Sequence, residues 1–356
     1  MTGKLVLEYN RYLRKRILFF LLVFLLLVII VLISLVSGSA DIGFRSIIDL
    51  VAGRSSAFAS QVLLKIRMPR IAGAFLAGTS LAISGAVFQS LLRDPLASPF
   101  TLGISGASAF GAAFAIILLG AGTSYGGSND VAVINNPYLV TISAFIWSLA
   151  SVAVILLLSG YRGSTPEIII LAGIIISSLF GAGISAIQYF SDNVQLASIV
   201  FWTFGDLGRA TWSNCLIIAL VVFPVLLFFI HQSWNYKSLQ SGDEYAKSLG
   251  VNVTRVRLTG MVVASLATAV VTSFYGIIAF IGLVVPHIVR RIIGGDEQFL
   301  IPASAVSGGA FLLLSDTLAR TIISPVILPV GILTSFIGAP LFLFLLIKGM
   351  GKGFWS

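Results

Sequence analysis

The stretch "ILFFLLVFLLLVIIVLISLV", Ile17 to Val36, runs for twenty residues without a charge. That is the length a helix needs to cross a hydrocarbon core about 30 Å thick. Basic residues precede it and "SGSA" follows, the layout of a secretion signal, but the run outlasts the roughly 7–15 apolar residues of such a signal. It therefore reads as an uncleaved spanning helix. Working outward, comparable runs recur near 71–92, 99–120, 138–160, 167–190, 213–232, 258–278, 277–290, 301–320 and 326–347, two of them crowding together around Tyr275–Ile281. Irregular backbone cannot face lipid, so these runs are expected as helices. The expectation is an all-α polytopic membrane protein of about ten spans, one domain over 1–356, with residues 1–16 and the polar loop 239–257 in the cytoplasm.

Composition agrees. Of 356 residues, 58% are hydrophobic and 10% charged, and the mean hydropathy is +1.05, too apolar for an ordinary soluble domain. The net charge of +9 raises the question of nucleic acid, but the placement of the charges answers it. With the N-terminus inside and ten spans alternating, 15 of the 22 Lys and Arg fall on the cytoplasmic side and 7 outside, the bias of the positive-inside rule. Both termini are then cytoplasmic, and the basic balance sets topology; no nucleic-acid partner is expected. Cys215 is the single cysteine, and His231 and His287 stand apart, so neither a disulfide framework nor a metal site is expected. His287, beside Pro286, reads as a brace for helix ends.

Neither energy conversion nor catalysis has residues of its own. No G-x-x-x-x-G-K-[ST] phosphate cradle occurs, and "GISGASAFG" lies inside a span and follows no strand. No Ser/His/Asp or Cys/His set suggests an intramembrane enzyme. The chain is expected to bind no cofactor, and any uphill transport must draw on a partner. Ionisable residues inside the spans are nearly absent; Asp316 and Arg320, four apart in "LLLSDTLAR", can pair on one helix face. An ion-coupled secondary carrier usually needs acids or broken helices at mid-membrane, so that class is the weaker alternative.

Small residues recur every fourth position at Gly103, Ala107, Gly111 and Ala115, and again at Gly173, Ser177, Gly181 and Ser185. Such stripes let helix backbones approach where no hydrophobic force drives association. Helix packing accounts for both; the lining of a wide pathway is the alternative that spacing leaves open.

One long polar block interrupts the apolar chain: "LQSGDEYAKSLGVNVTRVR", Leu239 to Arg257. "GDEYAKSLG" reads as a short helix with Asp243 and Glu244 in its first turn, favourable against the N-terminal dipole. Lys247 follows Asp243 by four, Gly250 sits where helices stop, and Tyr245, Ala246 and Leu249 form the less polar side. The residues alone leave a solvated interfacial helix and a docking surface equally open.

Longer stretches carry a resemblance. "RMPRIAGAFLAGTSLAISGAVFQSLLRDPLASPFTLGISGASAFG" (67–111), "LQSGDEYAKSLGVNV" (239–253), "GIIAFIGLVVPHIVR" (276–290), "LLLSDTLAR" and "LPVGILTSFIGAPLFLFLL" (312–346) resemble the iron-siderophore/cobalamin permeases, the FecCD family. "EYAKSLG" is similar to the coupling motif of ATP-binding-cassette (ABC) importers, with Tyr245 in place of an alanine. The resemblance implies a BtuC-like permease fold, pairing as a homodimer in the cytoplasmic membrane around one central path. It also implies two cytoplasmic ATPase subunits, which use ATP and magnesium, and an extracytoplasmic substrate-binding protein.

In that picture Asp243, Glu244, Tyr245, Ala246, Leu249 and Gly250 couple to the ATPase. Arg67, Arg70 and Arg320 resemble arginines that meet acidic lobes of the binding protein; snorkelling and the Asp316 pair are the structural alternatives. "GSTPE" resembles an inner gate, making Ser164 and Thr165 gate residues and Ser177, Gly181 and Ser185 pathway residues. "RDPLASP" (93–99) is a tight cytoplasmic turn, and the outer loop 120–137 matches no family motif. The implied cargo is a bulky metal chelate, an iron(III)-siderophore first, with cobalamin and haem as alternatives.

Overall fold

The computed structural model describes residues 2–38, 43–122, 134–162 and 165–349. Among them there are helices and no strands: α1 (Thr2–Val36), α2 (Phe44–Val51), α3 (Ala57–Val62) and, after one π-helical turn at Leu63–Arg67, α4 (Met68–Leu92). Then come α5 (Ile104–Ile117), α6 (Pro137–Arg162), α7 (Pro166–Tyr189), α8 (Asn193–Thr203) and α9 (Trp212–Gln240). The chain continues through α10 (Asp243–Ser248), α11 (Val253–Tyr275), α12 (Ile281–Ile293), α13 (Glu297–Thr321) and α14 (Val330–Gly349).

α4 is the central post, packed against α13, α9, α11 and α12. Its glycines allow this: a Cβ on Gly78 would collide with the Gly308 carbonyl of α13, and one on Gly85 with the Gly282 carbonyl of α12. Hydroxyls fasten what the small residues bring together. Thr79 donates to the Ala305 carbonyl at 2.9 Å, Ser80 to Ala267 at 3.0 Å and Ser84 to Ala264 at 3.1 Å, the interhelical bonding that apolar surroundings favour.

The ten expected spans resolve into seven helical stretches long and apolar enough to cross a membrane, on α1, α3–α4, α6, α7, α9, α11 and α13. α5 and α14 are shorter apolar helices, and α12 has only 13 residues. The reason is a break that an apolar sequence conceals. α11 ends at Gly276 (φ +78°), and residues 276–280 are not helical. Tyr275 lies against Gly73, whereas Gly282 lies against Gly85, twelve residues further along α4. At 1.5 Å per helical residue that is a descent of about 18 Å, within reach of a short extended segment. The crowded seventh and eighth runs are thus one full helix, an extended descent and a half-length helix. Irregular backbone at this depth is tolerated because protein covers it: Gly276 abuts the Trp202 carbonyl, and Gly331 abuts the carbonyls of Phe204 and Ile277.

At the cytoplasmic end Glu297, fully buried, gathers four helices. It accepts from Ser90 of α4 at 2.6 Å and from Gln240 of α9, and pairs with Arg290 of α12 at 3.3 Å. Beside it Asp296 pairs with Arg16 of α1 at 3.3 Å and Lys237 of α9 at 3.4 Å.

Candidate functional site

The polar block folds as α10 between α9 and α11. Ala246 turns inward and is buried with Leu239, Val253 and Val256. Tyr245 and Leu249 turn outward, 53% and 57% exposed. The expected less polar side is therefore split: Ala246 seats the helix, while the other two, four residues apart, present one apolar ridge to solvent. Glu244 and Lys247 are exposed beside it. Gly250 (φ +82°) closes the helix: its N–H donates to the Lys247 carbonyl at 2.9 Å, and that of Val251 to Ala246 at 3.0 Å, the paired bonds of a Schellman stop.

Asp243 does not pair with Lys247. It accepts from Arg257 of α11 at 2.9 and 3.1 Å and pairs with Arg93 at 3.3 Å. Arg257, only 2% exposed, also donates to the Leu91 carbonyl at 3.2 Å. Arg93 ends α4 in the left-handed region (φ 49°), and the turn after it is closed by Asp94 accepting from the Leu96 N–H at 2.9 Å. The short helix is thereby clamped both to α11 and to the end of the central post.

The three outer arginines are corrected in their exposure. Arg67, Arg70 and Arg320 are 4%, 8% and 7% exposed. Arg70 grips fully buried Asp316 with bonds of 2.9 to 3.0 Å, and Arg320 reaches the same carboxylate at 3.1 Å, as its spacing allowed. Arg320 also donates to Ser34 (2.7 Å) and the Ser37 carbonyl (3.0 Å), and Arg67 to the carbonyls of Leu35 and Val36 at the end of α1. These guanidiniums tie α1, α4 and α13 together. Drawing Arg70 or Arg320 out toward a soluble partner would leave Asp316 buried without its cations, a costly state.

Along α7 the small-residue stripe changes character. A Cβ on Gly173 would press on Thr101 and Leu102, and Gly103 abuts Ser177, so the inner part packs. Gly181 has nothing within 4 Å of its would-be Cβ, and Ser185 is exposed with its hydroxyl bonded to the Gly181 carbonyl at 3.1 Å. The outer part is an open, smooth face. The other stripe is packing: Ala107 and Ala115 are buried, and Gly111 abuts Ser143 and Ala144 of α6. Thr165 caps the start of α7 and is exposed, while Ser164 lies outside the described residues. Glu167, two residues on, feels the fields of Arg93 and Arg257, so the start of α7 adjoins the clamp. His287 meets Phe342 edge-on at 6.1 Å.

This arrangement accompanies a family match: a model of the FecCD transport family covers residues 26–348. The chain belongs to the FecCD transport family. A permease of Methanocaldococcus jannaschii, assigned by name alone to the ABC transporters, is 51% identical over 343 residues, 96% of this chain and 97% of the relative. The hemin transport system permease protein HmuU of Yersinia pestis is 36% identical over 319 residues, 89% of this chain and 93% of the relative. A solved structure described as an inward-facing, metal-chelate type ABC transporter matches with a TM-score of 0.80 at 31% identity, covering 92% of this chain and 97% of that one.

The sequence reading of this FecCD permease missed the partners of its polar helix. Arg257 sits on the buried stripe Val253, Val256, Gly260, Met261 and Ala264 of α11, and that helical periodicity marks it as inward-facing. Arg93 carried no such signal. Glu297, next to Asp296 at a helix start, looked like a solvated pair of acids.

Proposed function

We propose that this FecCD permease is the transmembrane subunit of an ABC importer for a bulky metal chelate, an iron(III) chelate in the first place. It works in the cytoplasmic membrane as a homodimer with two ATPase subunits and an extracytoplasmic binding protein. The observation that carries the reading is the clamp: α10 offers Tyr245 and Leu249 to a cytoplasmic partner while Asp243, through Arg257 and Arg93, holds α11 and the end of α4. A partner that moves α10 therefore moves the helices around which the bundle is packed. ATP and magnesium act in the partner; this chain transmits.

The path runs along the open face of α7, where Gly181 and Ser185 leave room, with Thr165 and the neighbouring Ser164 at its inner gate and a second copy opposite. Among chelates, an iron(III)-siderophore is the leading cargo and haem the second, the latter supported by the likeness to HmuU. With Arg67, Arg70 and Arg320 turned inward, docking of the binding protein at the outer face falls first to exposed Arg45, Arg54 and Lys65.

The test is uptake in proteoliposomes holding the whole importer, with iron-siderophore, hemin and cobalamin as separate cargoes. Uptake abolished by disabling the ATPase's phosphate-binding lysine supports the proposal. Uptake that continues with the ATPase disabled refutes it and restores the secondary-carrier reading.

A further inference from the structure

At the outer end of the bundle, away from α10 and from the open face of α7, α6, α8, α9 and α11 enclose a cavity of about 550 Å³. Tyr138, Phe201, Trp202 and Phe274 supply most of its wall, and Arg209 supplies its charge. The other polar side chains there are committed locally. Thr141 donates to the Pro137 carbonyl and Ser198 to that of Val194, each at 3.0 Å, and the Asn214 amide donates to the Arg209 carbonyl at 3.2 Å.

Arg209 has five N–H donors, and among the described residues they find one acceptor, the Phe201 carbonyl at 3.4 Å. No carboxylate among the described residues stands within ion-pairing distance of it. The nearest acid, Asp206, already accepts from the Gly208 N–H at 2.7 Å and faces Arg70 at 3.8 Å. Burial presses the Arg209 pKa down, and Asp206 offsets only part of that pressure. A cation so placed calls for an anion.

The surroundings say which kind. Exposed apolar stripes with four-residue spacing flank the cavity: Tyr138, Ile142 and Ile146 on α6, and Trp212, Leu216 and Leu220 on α9. These faces meet lipid, and Tyr and Trp at the outer helix ends mark the headgroup level. Between them α11, which packs against both helices, keeps Val262 exposed and Val263, Leu266 and Phe274 half-buried. An apolar furrow thus descends from the charged cavity toward the membrane interior.

We propose that this cavity binds the phosphate of an anionic phospholipid of the outer leaflet, held by Arg209, with one acyl chain lying in the furrow over α11. A guanidinium can bond two phosphate oxygens at once. A soluble organic phosphate would offer the same headgroup chemistry but leave the furrow empty.

The experiment compares lipid retention by the detergent-purified protein, read by native mass spectrometry after mixing with phosphatidylglycerol or phosphatidylcholine of identical chains. Wild-type protein should hold one phosphatidylglycerol per chain about tenfold more strongly than phosphatidylcholine, the scale of a charge-assisted bond. Arg209→Gln should lose that preference and Arg209→Lys keep most of it. Leu266→Trp, which fills the furrow and leaves Arg209 in place, should lower retention of both lipids. Equal retention of phosphatidylglycerol by wild type and Arg209→Gln overturns the proposal, as does equal retention of the two lipids by wild type. Displacement of the lipid by millimolar glycerol 3-phosphate overturns it in favour of a soluble-anion site.

Discussion

Asp243 and Arg257, fourteen residues apart, meet through hydrogen bonds of 2.9 and 3.1 Å, and Arg257 carries the connection on to the Leu91 carbonyl at 3.2 Å. One buried guanidinium thus joins the solvent-facing helix α10 to the end of the central helix α4. Breaking a buried pair by removing one partner costs about 3–5 kcal/mol. Asp243 is about a third exposed and solvent screens it, so Asp243→Ala should lower stability by about 1–2 kcal/mol. The same variant should lose transport-coupled ATP hydrolysis while still binding the ATPase. Thermal unfolding and substrate-stimulated ATPase activity check this; wild-type coupling in Asp243→Ala would show that the clamp transmits nothing.

Tyr245 and Leu249 are the opposite case, exposed and bonded to nothing that stabilises the fold. The double variant Tyr245→Ala/Leu249→Ala should unfold at the wild-type temperature. Its affinity for the ATPase should fall about tenfold or more, as expected when apolar anchors are removed from an interface. Titration of ATPase onto the permease in nanodiscs measures the difference, and unchanged affinity rules the ridge out as the contact.

Asp316 is fully buried beneath Arg70 and Arg320. Asp316→Asn removes the charge both arginines share, at a cost of about 3–5 kcal/mol, and should loosen the end of α1 that Arg320 holds through Ser34 and Ser37. A lower unfolding temperature with faster amide exchange near Ser34 is expected. Arg45→Glu, on the exposed outer surface, should leave stability unchanged.

Two glycines of α7 should behave differently. At Gly173 a Cβ would lie 2.8 Å from the Thr101 carbonyl, so Gly173→Leu should destabilise the protein. At Gly181 nothing stands within 4 Å; Gly181→Leu should fold normally and slow transport, because its side chain enters the space assigned to cargo. Full transport by Gly181→Leu would move the path elsewhere.

Much of this was legible in the chain, for identifiable reasons. Helices such as α1 and α9 are continuous apolar runs, and a bilayer leaves them one option. The stop at Gly250 was legible because only glycine adopts its backbone angle without strain. The half-length of α12 was not, because "GIIAFIG" is as apolar as any span: hydropathy reports what a residue prefers to touch, not whether its backbone is coiled. Nor was the direction of the outer arginines. A cation near a helix end satisfies sequence logic whether it snorkels, docks or pairs, and the acid that captures Arg70 lies 246 residues away. For Tyr245 and Leu249 the spacing put both on one side but was silent on which way that side would face.

The extended descent at 276–280 has a mechanical consequence. A helix is stiff along its axis because each turn is bonded to the next; a strand without such rungs transmits tension but hardly any compression. Thrust entering α11 at Arg257 therefore travels up the rod as far as Tyr275. There it is handed sideways, through the Tyr275 carbonyl that accepts from the Asp206 N–H at 2.8 Å, to the outer loop. α12 hangs from the same chain as if on a cord, free to tilt about Gly282 where it rests on Gly85. The permease thus carries a slack joint in the middle of its densest packing, and its inner and outer halves need not swing in step.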